Sequence, residues 1–581
     1  MKELRQVFSY AKPYKKDFIL GILCVIAETS FELIIPMMMA DIIDVGIVNK
    51  DIHLITVKGV EMSICALLAL FTGLFYARFT SRAANSFGAH LREAEYEKIQ
   101  AYSFSNLDHF EGSSLITRMT TDITVMQNTV SAGLRPLVRS PVMFFLGIIL
   151  AFRMNAKLAL VFLVCAPFLG VILFFILKKI GPMFSKLQKA VDHVNAIVQE
   201  NLTAIRAVKA FVRDEYEEEN FDQVNKNLME TSGHTFRYAV LNLPAFQLTM
   251  YTSIVLILWF GGHFIQTGGM KVGQLTGFLS YVMQIVNSLM LISNVFLMLT
   301  RSLASARRIG EVLEECPDLL DPENALTSVA DGSISFEHVY FKYRPDAREF
   351  ALSDVSAAIG SGQTIGIIGG TGASKSTFVQ LIPRLYDATC GDVFVGGKNV
   401  RSYKLSALRD SVGIVLQKNV LFSGSIRSNL LWGNPQATTE ELERACYLSC
   451  ADEFISRLPQ GLDTDLSQGG VNLSGGQKQR LCIARTLLKK PRILIFDDST
   501  SAVDTATEKK MQKRLASMED MTIIIIAQRI TSVMHANRIF ILEDGKIHAS
   551  GDHKSLLASD SIYQEIYESQ MKGGEALGTS V

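Results

Sequence analysis

The fold class this sequence predicts is an α-helical polytopic membrane domain, six transmembrane helices with long cytoplasmic extensions, fused to an α/β P-loop domain. Three observations predict it. Apolar runs long enough to cross a bilayer cluster before about residue 300. From Gly332 onward, β-rich runs alternate with helical stretches and Gly-rich turns. One of those Gly-rich runs lies between a strand pattern and a helix, the setting a phosphate-binding loop requires. A chain of 581 residues calls for two or more compact units. Its mean hydropathy of +0.23 is high for a water-soluble protein, and the excess is local. A formal net charge of zero speaks against a nucleic-acid partner.

The elements follow in order. Leu4, Val7, Phe8 and Ala11, spaced i, i+3, i+4, i+7, predict a short amphipathic helix at a membrane surface, ended by Pro13. The segment Met1 to Lys12 lacks the apolar core and cleavage site of a signal peptide. Six spans are expected at Phe18–Ala40, Val60–Phe79, Arg135–Phe152, Leu158–Leu177, Val240–Ile265 and Gly273–Leu299. The third carries Arg135, Pro136 and Arg139 at its start, which makes it the least regular. Lys12, Lys15, Lys16, Arg78, Arg82, Arg92, Lys98, Lys178, Lys179, Lys186, Lys189, Arg301, Arg307 and Arg308 mark the cytoplasmic side. The loop after the first span is acid-biased instead, with Asp41, Asp44 and Asp51. Both termini are therefore expected in the cytoplasm. Residues 80–134 and 178–239 carry polar, heptad-like patterns, so the membrane helices should continue into the cytoplasm as hairpins whose tips meet a cytoplasmic motor.

The text changes after Arg308. Glu311–Asp331 is acidic, contains Pro317 and Pro322, and reads as a linker. The expected division is a membrane domain at 1–310, a linker at 311–331, an α/β domain at 332–571 and a flexible tail at 572–581. Thr364–Ile368, Ile493–Phe496 and Ile523–Ala527 are continuous apolar runs, as strands buried on both faces require. Of the eight cysteines, Cys446 and Cys450 share a helix face. No His or further Cys stands at zinc-like spacing around them, so reduced thiols in apolar sites are expected.

Gly369-Gly370-Thr371-Gly372-Ala373-Ser374-Lys375-Ser376-Thr377 follows a strand and opens a helix. Backbone N–H groups at such a helix start cradle phosphates, a lysine reaches the β/γ oxygens and a hydroxyl can sit on Mg²⁺. Downstream stand Val415-Leu416-Gln417, Leu473-Ser474-Gly475-Gly476-Gln477, Ile493-Leu494-Ile495-Phe496-Asp497-Asp498, Ser501-Ala502-Val503-Asp504 and Ala527-Gln528. In this order, together with Ile205–Phe211 and Ser114–Arg118 in the membrane half, they resemble ATP-binding cassette (ABC) exporters of the half-transporter kind. The resemblance covers nearly the whole chain.

The resemblance implies ATP and Mg²⁺ as ligands. It implies that Tyr343 stacks on adenine, that Gly370 to Thr377 hold the phosphates, and that Ser376, Gln417 and Asp497 serve the metal. It also implies that two cassettes pair head-to-tail, with Ser474, Gly475, Gly476 and Gln477 acting on ATP bound by the partner. Four positions depart from the family pattern. Asp498 replaces the catalytic glutamate, Gln528 the switch histidine, and Ser374 the glycine before the lysine. Gln468 stands where many relatives have a glutamate. Hydrolysis needs a group that positions water and a group that stabilises charge on the γ-phosphoryl. Asp498 is a methylene short, and Gln528 cannot carry the charge or proton of a histidine. The pattern implies slow hydrolysis at this chain's own site and a heterodimer whose second half-transporter supplies the glutamate and histidine. It resembles the degenerate-site subunit of bacterial multidrug exporters moving small amphipathic compounds. An importer on the same fold and a non-hydrolysing regulatory subunit remain alternatives.

The cargo path is expected from polar residues within spans. Glu28 and Glu32 share one helix face and read either as a cation-attracting patch or as carboxylates wetted by a cavity. Tyr281, Gln284, Asn287, Ser288 and Asn294 give the sixth span a mixed face that suits amphipathic cargo or ordinary helix–helix hydrogen bonds.

Overall fold

The computed structural model describes residues 2–499, 503–515, 518 and 520–577. The chain forms two compact units, one of residues 1–100 and 112–315, the other of 101–111 and 316–581.

The first unit is all helical. Its elements are α1 (Lys2–Ser9), α2 (Lys15–Asp41), α3 (Ile52–Gln100), α4 (Phe104–Asp108, which belongs to the second unit) and α5 (Gly112–Thr117). They continue with α6 (Ile123–Met154), α7 (Ala156–Ala210), α8 (Asp214–Ala239), α9 (Asn242–Gln266) and α10 (Val272–Glu314). At about 1.5 Å per residue, helices of 49, 55 and 43 residues far exceed a bilayer core, as the hairpin expectation required. Among the described residues, four stretches are long and apolar enough to span: Lys12–Ile47, Ile52–Gln100, Gly112–Met154 and Asp214–Gln266. The remaining two expected spans fall on α7 and α10, where the side chains at several positions lie outside the described residues.

The least regular span is a continuous helix: α6 passes through Pro136 and Pro141. Proline removes one backbone hydrogen bond, and membrane helices tolerate that loss where neighbours re-satisfy the freed group. A core of Leu33, Met143, Leu158, Phe278, Tyr281 and Ile285 ties α2, α6, α7 and α10 together. Helix α1 forms as its periodicity predicts, and its apolar residues divide: Phe8 is exposed, whereas Val7 is fully buried against Phe87, Leu91, Ile123, Met126 and Ile309 of α3, α6 and α10.

In the second unit, six strands form a sheet in the order Lys546–Gly551, Arg538–Glu543, Thr364–Ile368, Thr522–Ile526, Ile493–Asp497, Val412–Val415. All neighbours are parallel except the first pair. The two central runs Ile493–Asp497 and Thr522–Ile526 are buried at every position, which is why they read as unbroken apolar segments. An antiparallel sheet of Leu352–Ile359, Ile334–Phe341, Cys390–Val395 and Lys398–Asn399 accompanies it. The short helix α4 belongs here too. Tyr386 donates to Asp108 Oδ2 at 2.8 Å, Ser105 to Asp318 Oδ2 at 2.6 Å, and Asn106 Nδ2 to the Cys316 carbonyl at 3.0 Å.

Two boundaries differ from expectation. Helix α10 runs to Glu314, past the expected start of the linker. The C-terminal helix Ser561–Leu577 runs into the expected tail, because Tyr563, Ile566 and Tyr567 anchor it on the core; residues 578–581 lie outside the described residues. Cys446, Cys450 and Cys482 are buried, whereas Cys316 and Cys390 are exposed, so apolar packing does not account for every thiol.

Candidate nucleotide site and membrane cavity

The strands Thr364–Ile368, Ile493–Asp497 and Thr522–Ile526 are parallel neighbours in register, with Ile367 beside Ile526 and Ile526 beside Asp497. Their carboxyl ends therefore finish together, and open α/β sheets bind ligands at that edge. A cavity of about 530 Å³ lies there. It is lined by Gly369 to Thr377, Gln417, Asp497, Asp498 and Gln528, so residues up to 159 positions apart by number meet in one place. The family-implied set at 370–377, 417, 497, 498 and 528 is thus gathered.

The loop's conformation explains its glycines and its exception. Gly372 has φ 86° and Gly369 has φ 155°, and a Cβ at Gly369 would collide with the Leu542 carbonyl. Ser374 also lies in the left-handed region, at φ 64°, where a side chain adds strain that glycine avoids. From it the helix Lys375–Gln380 starts. Lys375 Nζ curls back to donate to the Gly369 and Gly370 carbonyls at 2.9 and 2.7 Å. Burial lowers the pKa of its ammonium from the ordinary value, against the pull of Asp498 and Asp497.

Ser376 Oγ donates to Asp497 Oδ1 at 2.7 Å. Burial raises the Asp497 carboxyl above its ordinary value; the Ser376 hydrogen bond opposes the rise, Asp498 adds to it and Lys375 opposes it. A hydroxyl, a carboxylate and the Gln417 carboxamide on one cavity wall form an oxygen-rich donor set of the kind Mg²⁺ takes, and the loop's backbone suits phosphates. Tyr343 donates or accepts at 2.8 Å with Thr377 Oγ1 and stands 44% exposed beside the loop. An exposed ring there leaves a face for a base.

Two of the four departures from the family pattern touch. Gln528 Nε2 donates to Asp498 Oδ2 at 2.7 Å, and Gln417 Nε2 approaches the same oxygen at 3.4 Å. Asp498 has φ 46°, a left-handed conformation that aspartate adopts more readily than most residues. Sequence reasoning missed two residues of this cavity, Ile566 and Gln570, both on the C-terminal helix. Gln570 Nε2 donates to the Gln528 carbonyl and Gln570 Oε1 accepts from Ile530 N–H, each at 2.8 Å, so the helix grips the segment that carries Gln528. No local motif marks it, since the contact spans 42 residues.

Ser474 caps the helix Gly475–Leu488 reciprocally: its Oγ accepts from Gln477 N–H at 3.4 Å and its N–H donates to Gln477 Oε1 at 2.9 Å. Ser474, Gly475, Gly476 and Gln477 are not among the described residues lining this chain's nucleotide cavity. Of Ser501-Ala502-Val503-Asp504, the first two lie outside the described residues; Asp504 accepts from Thr507 N–H at 2.9 Å.

In the membrane unit a cavity of about 1050 Å³ is lined by Glu32, Arg135, Arg139, Gln284 and Asn287 among mostly apolar residues. Glu28 and Tyr281 are not on its wall. Tyr281 is fully buried and donates to the Leu33 carbonyl at 2.8 Å; Ser288 donates to the Ile285 carbonyl at 2.6 Å. Both serve packing. The Asn294 side chain lies outside the described residues. The cation-attracting patch expected of Glu28 and Glu32 does not form as a free anionic surface. Arg135 pairs with Glu28, while Arg139 reaches Glu28 at 3.4 Å and Glu32 at 2.6 Å. A carboxylate in a membrane helix is costly unpaired, and the two arginines of α6 remove that cost.

Comparison with known proteins agrees with this architecture. Residues 18–289 match the ABC transporter transmembrane region, and residues 352–501 match the ABC transporter ATP-binding domain. The chain is 38% identical to the uncharacterized ABC transporter ATP-binding protein YfiB of Bacillus subtilis, over 98% of both chains. It is 35% identical to the uncharacterized ABC transporter ATP-binding protein MT1311 of Mycobacterium tuberculosis, over 97% of both. It is 29% identical to YgaD of B. subtilis, named as a candidate multidrug export ATP-binding/permease protein, over 98% of this chain and 100% of that one. A bacterial Atm1-family ABC exporter solved with ATP bound shares the fold at TM-score 0.81 and 23% identity, covering 96% of this chain and 99% of that one.

Proposed function

The chain belongs to the ABC transporter family of fused membrane and ATP-binding half-transporters, and from that premise we propose that it is the degenerate-site subunit of a heterodimeric exporter. The exporter moves small amphipathic or hydrophobic compounds across the cell membrane, with both termini in the cytoplasm. The chain binds Mg-ATP through Tyr343, the loop 370–377, Gln417 and Asp497 and hydrolyses it slowly. Its Ser474–Gln477 segment completes a second site, where the partner half-transporter contributes a glutamate and a histidine.

One observation carries the reading. The positions that should hold and polarise water are an aspartate and a glutamine hydrogen-bonded to each other at 2.7 Å, beside an otherwise complete phosphate and metal wall. Gln528 spends its donor on Asp498, and Asp498 is one methylene short, so neither group is free and positioned for water. Errors of about 1 Å in such positioning cost on the order of 10²-fold in rate. Nucleotide binding needs neither group. The name given to YgaD supports the cargo class.

The test is an uneven pair of substitutions in the assembled transporter. Asp498→Asn is expected to leave steady-state ATPase nearly unchanged, because that site contributes little turnover. Ser474→Arg is expected to abolish most of it, because it blocks the site that works. Comparable losses from both refute the asymmetry.

A further inference from the structure

The charges around the membrane cavity are not matched evenly on its surface. Glu28 sits behind the wall with 4% of its side chain exposed, and it draws on both arginines. Glu32, 31% exposed, is held by Arg139, itself 22% exposed and committed to both carboxylates. Arg135 differs. It gives Nη2 to Glu28, lies 45% exposed, and is flanked by the Tyr76 ring at 6.0 Å. A guanidinium has five donors in a planar fork, and Arg135 lines the cavity while giving Nη2 to Glu28. The wall therefore shows two arginines against one glutamate, and the balancing carboxylate is behind them. On α10, Gln284 also lines the cavity; its Oε1 is buried without a partner, and its carboxamide N–H groups are donors that an anion can use. Between these polar points the surface is soft and apolar, with Met62, Met143, Phe246, Met250 and Met283.

We propose that this cavity takes an amphipathic organic anion, whose carboxylate, sulfonate or phosphate docks on Arg135 while its apolar body lies against the methionines. The inference rests on the exporter reading and names the cargo class of that transporter. Glu28 and Arg139 act as positioning residues: Glu28 orients the Arg135 fork, and Arg139 holds Glu32 while sharing Glu28. On the wall itself a bound anion meets Arg135 and Arg139 against Glu32 alone, with Glu28 buried behind them. A cation would instead meet the exposed guanidinium, and like charges in a low-dielectric site are mutually unfavourable.

The experiment uses the full chain with its partner half-transporter in phosphatidylcholine vesicles. The probes are pyrenebutyrate and a pyrenebutyl-trimethylammonium salt, which share an apolar body and differ in charge. Equilibrium binding is expected to favour the anion. The double substitution Glu28→Gln/Arg135→Gln removes the pair together, leaving no buried charge unmatched, and should weaken anion binding roughly tenfold or more without weakening the cation. Arg135→Lys keeps the charge but loses the fork; a several-fold loss there supports the site even if the double variant fails to fold. Adding phosphatidylglycerol separates the sources. Competition assigns the site to a lipid headgroup, and no competition assigns it to a free amphipath. Tighter binding of the cation, or anion affinity unchanged in the variants, overturns the proposal. ATP-driven movement of the cation, insensitive to these variants, would sink the anion site and leave the exporter reading standing. Anion binding lost with Arg135, but never coupled to ATP-driven movement, would leave the site and sink the exporter.

Discussion

Two places in the molecule set paired carboxylates beside fixed cations, and they end differently. At the membrane cavity, Arg135 and Arg139 pair with Glu28 and Glu32 through one oxygen of each acid, and Glu28 Oε2 stays buried without a partner. In the nucleotide cavity, Asp497 and Asp498 face Lys375, whose ammonium bonds backbone carbonyls instead of either acid. There the acids take neutral partners, Asp497 the Ser376 hydroxyl and Asp498 the Gln528 carboxamide. Burial does not separate the two places, since Asp497 is as buried as Glu28; the partners do, guanidinium groups in one and a hydroxyl and a carboxamide in the other. The second acid of the nucleotide cavity has also been diverted, since Asp498 accepts from a glutamine where the family has a histidine.

If the proposed diversion slows hydrolysis at this site, undoing it should have the largest effect. In a Ser474→Arg background, where the partner's site is silent, adding Asp498→Glu and Gln528→His is expected to raise ATPase on the order of 10²-fold above the remaining rate, the lower end of what a positioned general base contributes. Steady-state phosphate release measures it. No rise would mean that Ser374, or some other feature of the loop, limits the site, and the contrast between the two acid pairs would lose its functional meaning. A smaller effect is expected at Tyr343. Its ring stands exposed beside the loop and its hydroxyl meets Thr377. Tyr343→Ala should weaken binding of a fluorescent ATP analogue to this chain about tenfold, the scale of losing one base–aromatic stack. Tyr343→Phe removes one partly exposed hydrogen bond and should cost far less. Equal losses from both would show that the hydroxyl, and not the ring, serves the site.

What was legible in the sequence divides along the same line. The nucleotide wall was legible because its parts are local: a loop, a strand end and a helix cap each occupy a few consecutive residues, and a parallel sheet gathers their ends. Helix lengths in the membrane unit were legible from apolar runs and polar heptads. Pairings between distant helices were not. Arg135 and Arg139 read as a blemish at the start of a span, and only the packing of α2 against α6, 107 positions away, turns them into the partners of Glu28 and Glu32. Gln570 was lost for the same reason, across 42 residues. The α1 helix was recognised, but the seat of Val7 among α3, α6 and α10 was not, because periodicity reports that a face is apolar and says nothing of what covers it.

The polar face of α10 tests how far that ambiguity extends, with the smallest expected effect. Tyr281, Gln284, Asn287 and Ser288 look alike as a helical stripe, yet two line the cavity and two are buried in packing. Tyr281 anchors α10 to α2 through the Leu33 carbonyl at 2.8 Å, with no exposed surface. Tyr281→Phe keeps the ring and leaves one carbonyl without that donor, so it should cost about 1 kcal/mol of stability. That loss is expected as a lower thermal midpoint of the detergent-purified transporter, with pyrenebutyrate binding unchanged. Gln284→Ala should do the reverse, since it removes a cavity-lining amide N–H that can donate to the carboxylate, while its Oε1 has no partner to lose. If both substitutions move ligand binding and neither moves the midpoint, the whole stripe faces cargo, and the separation of packed from cavity-facing polar residues fails.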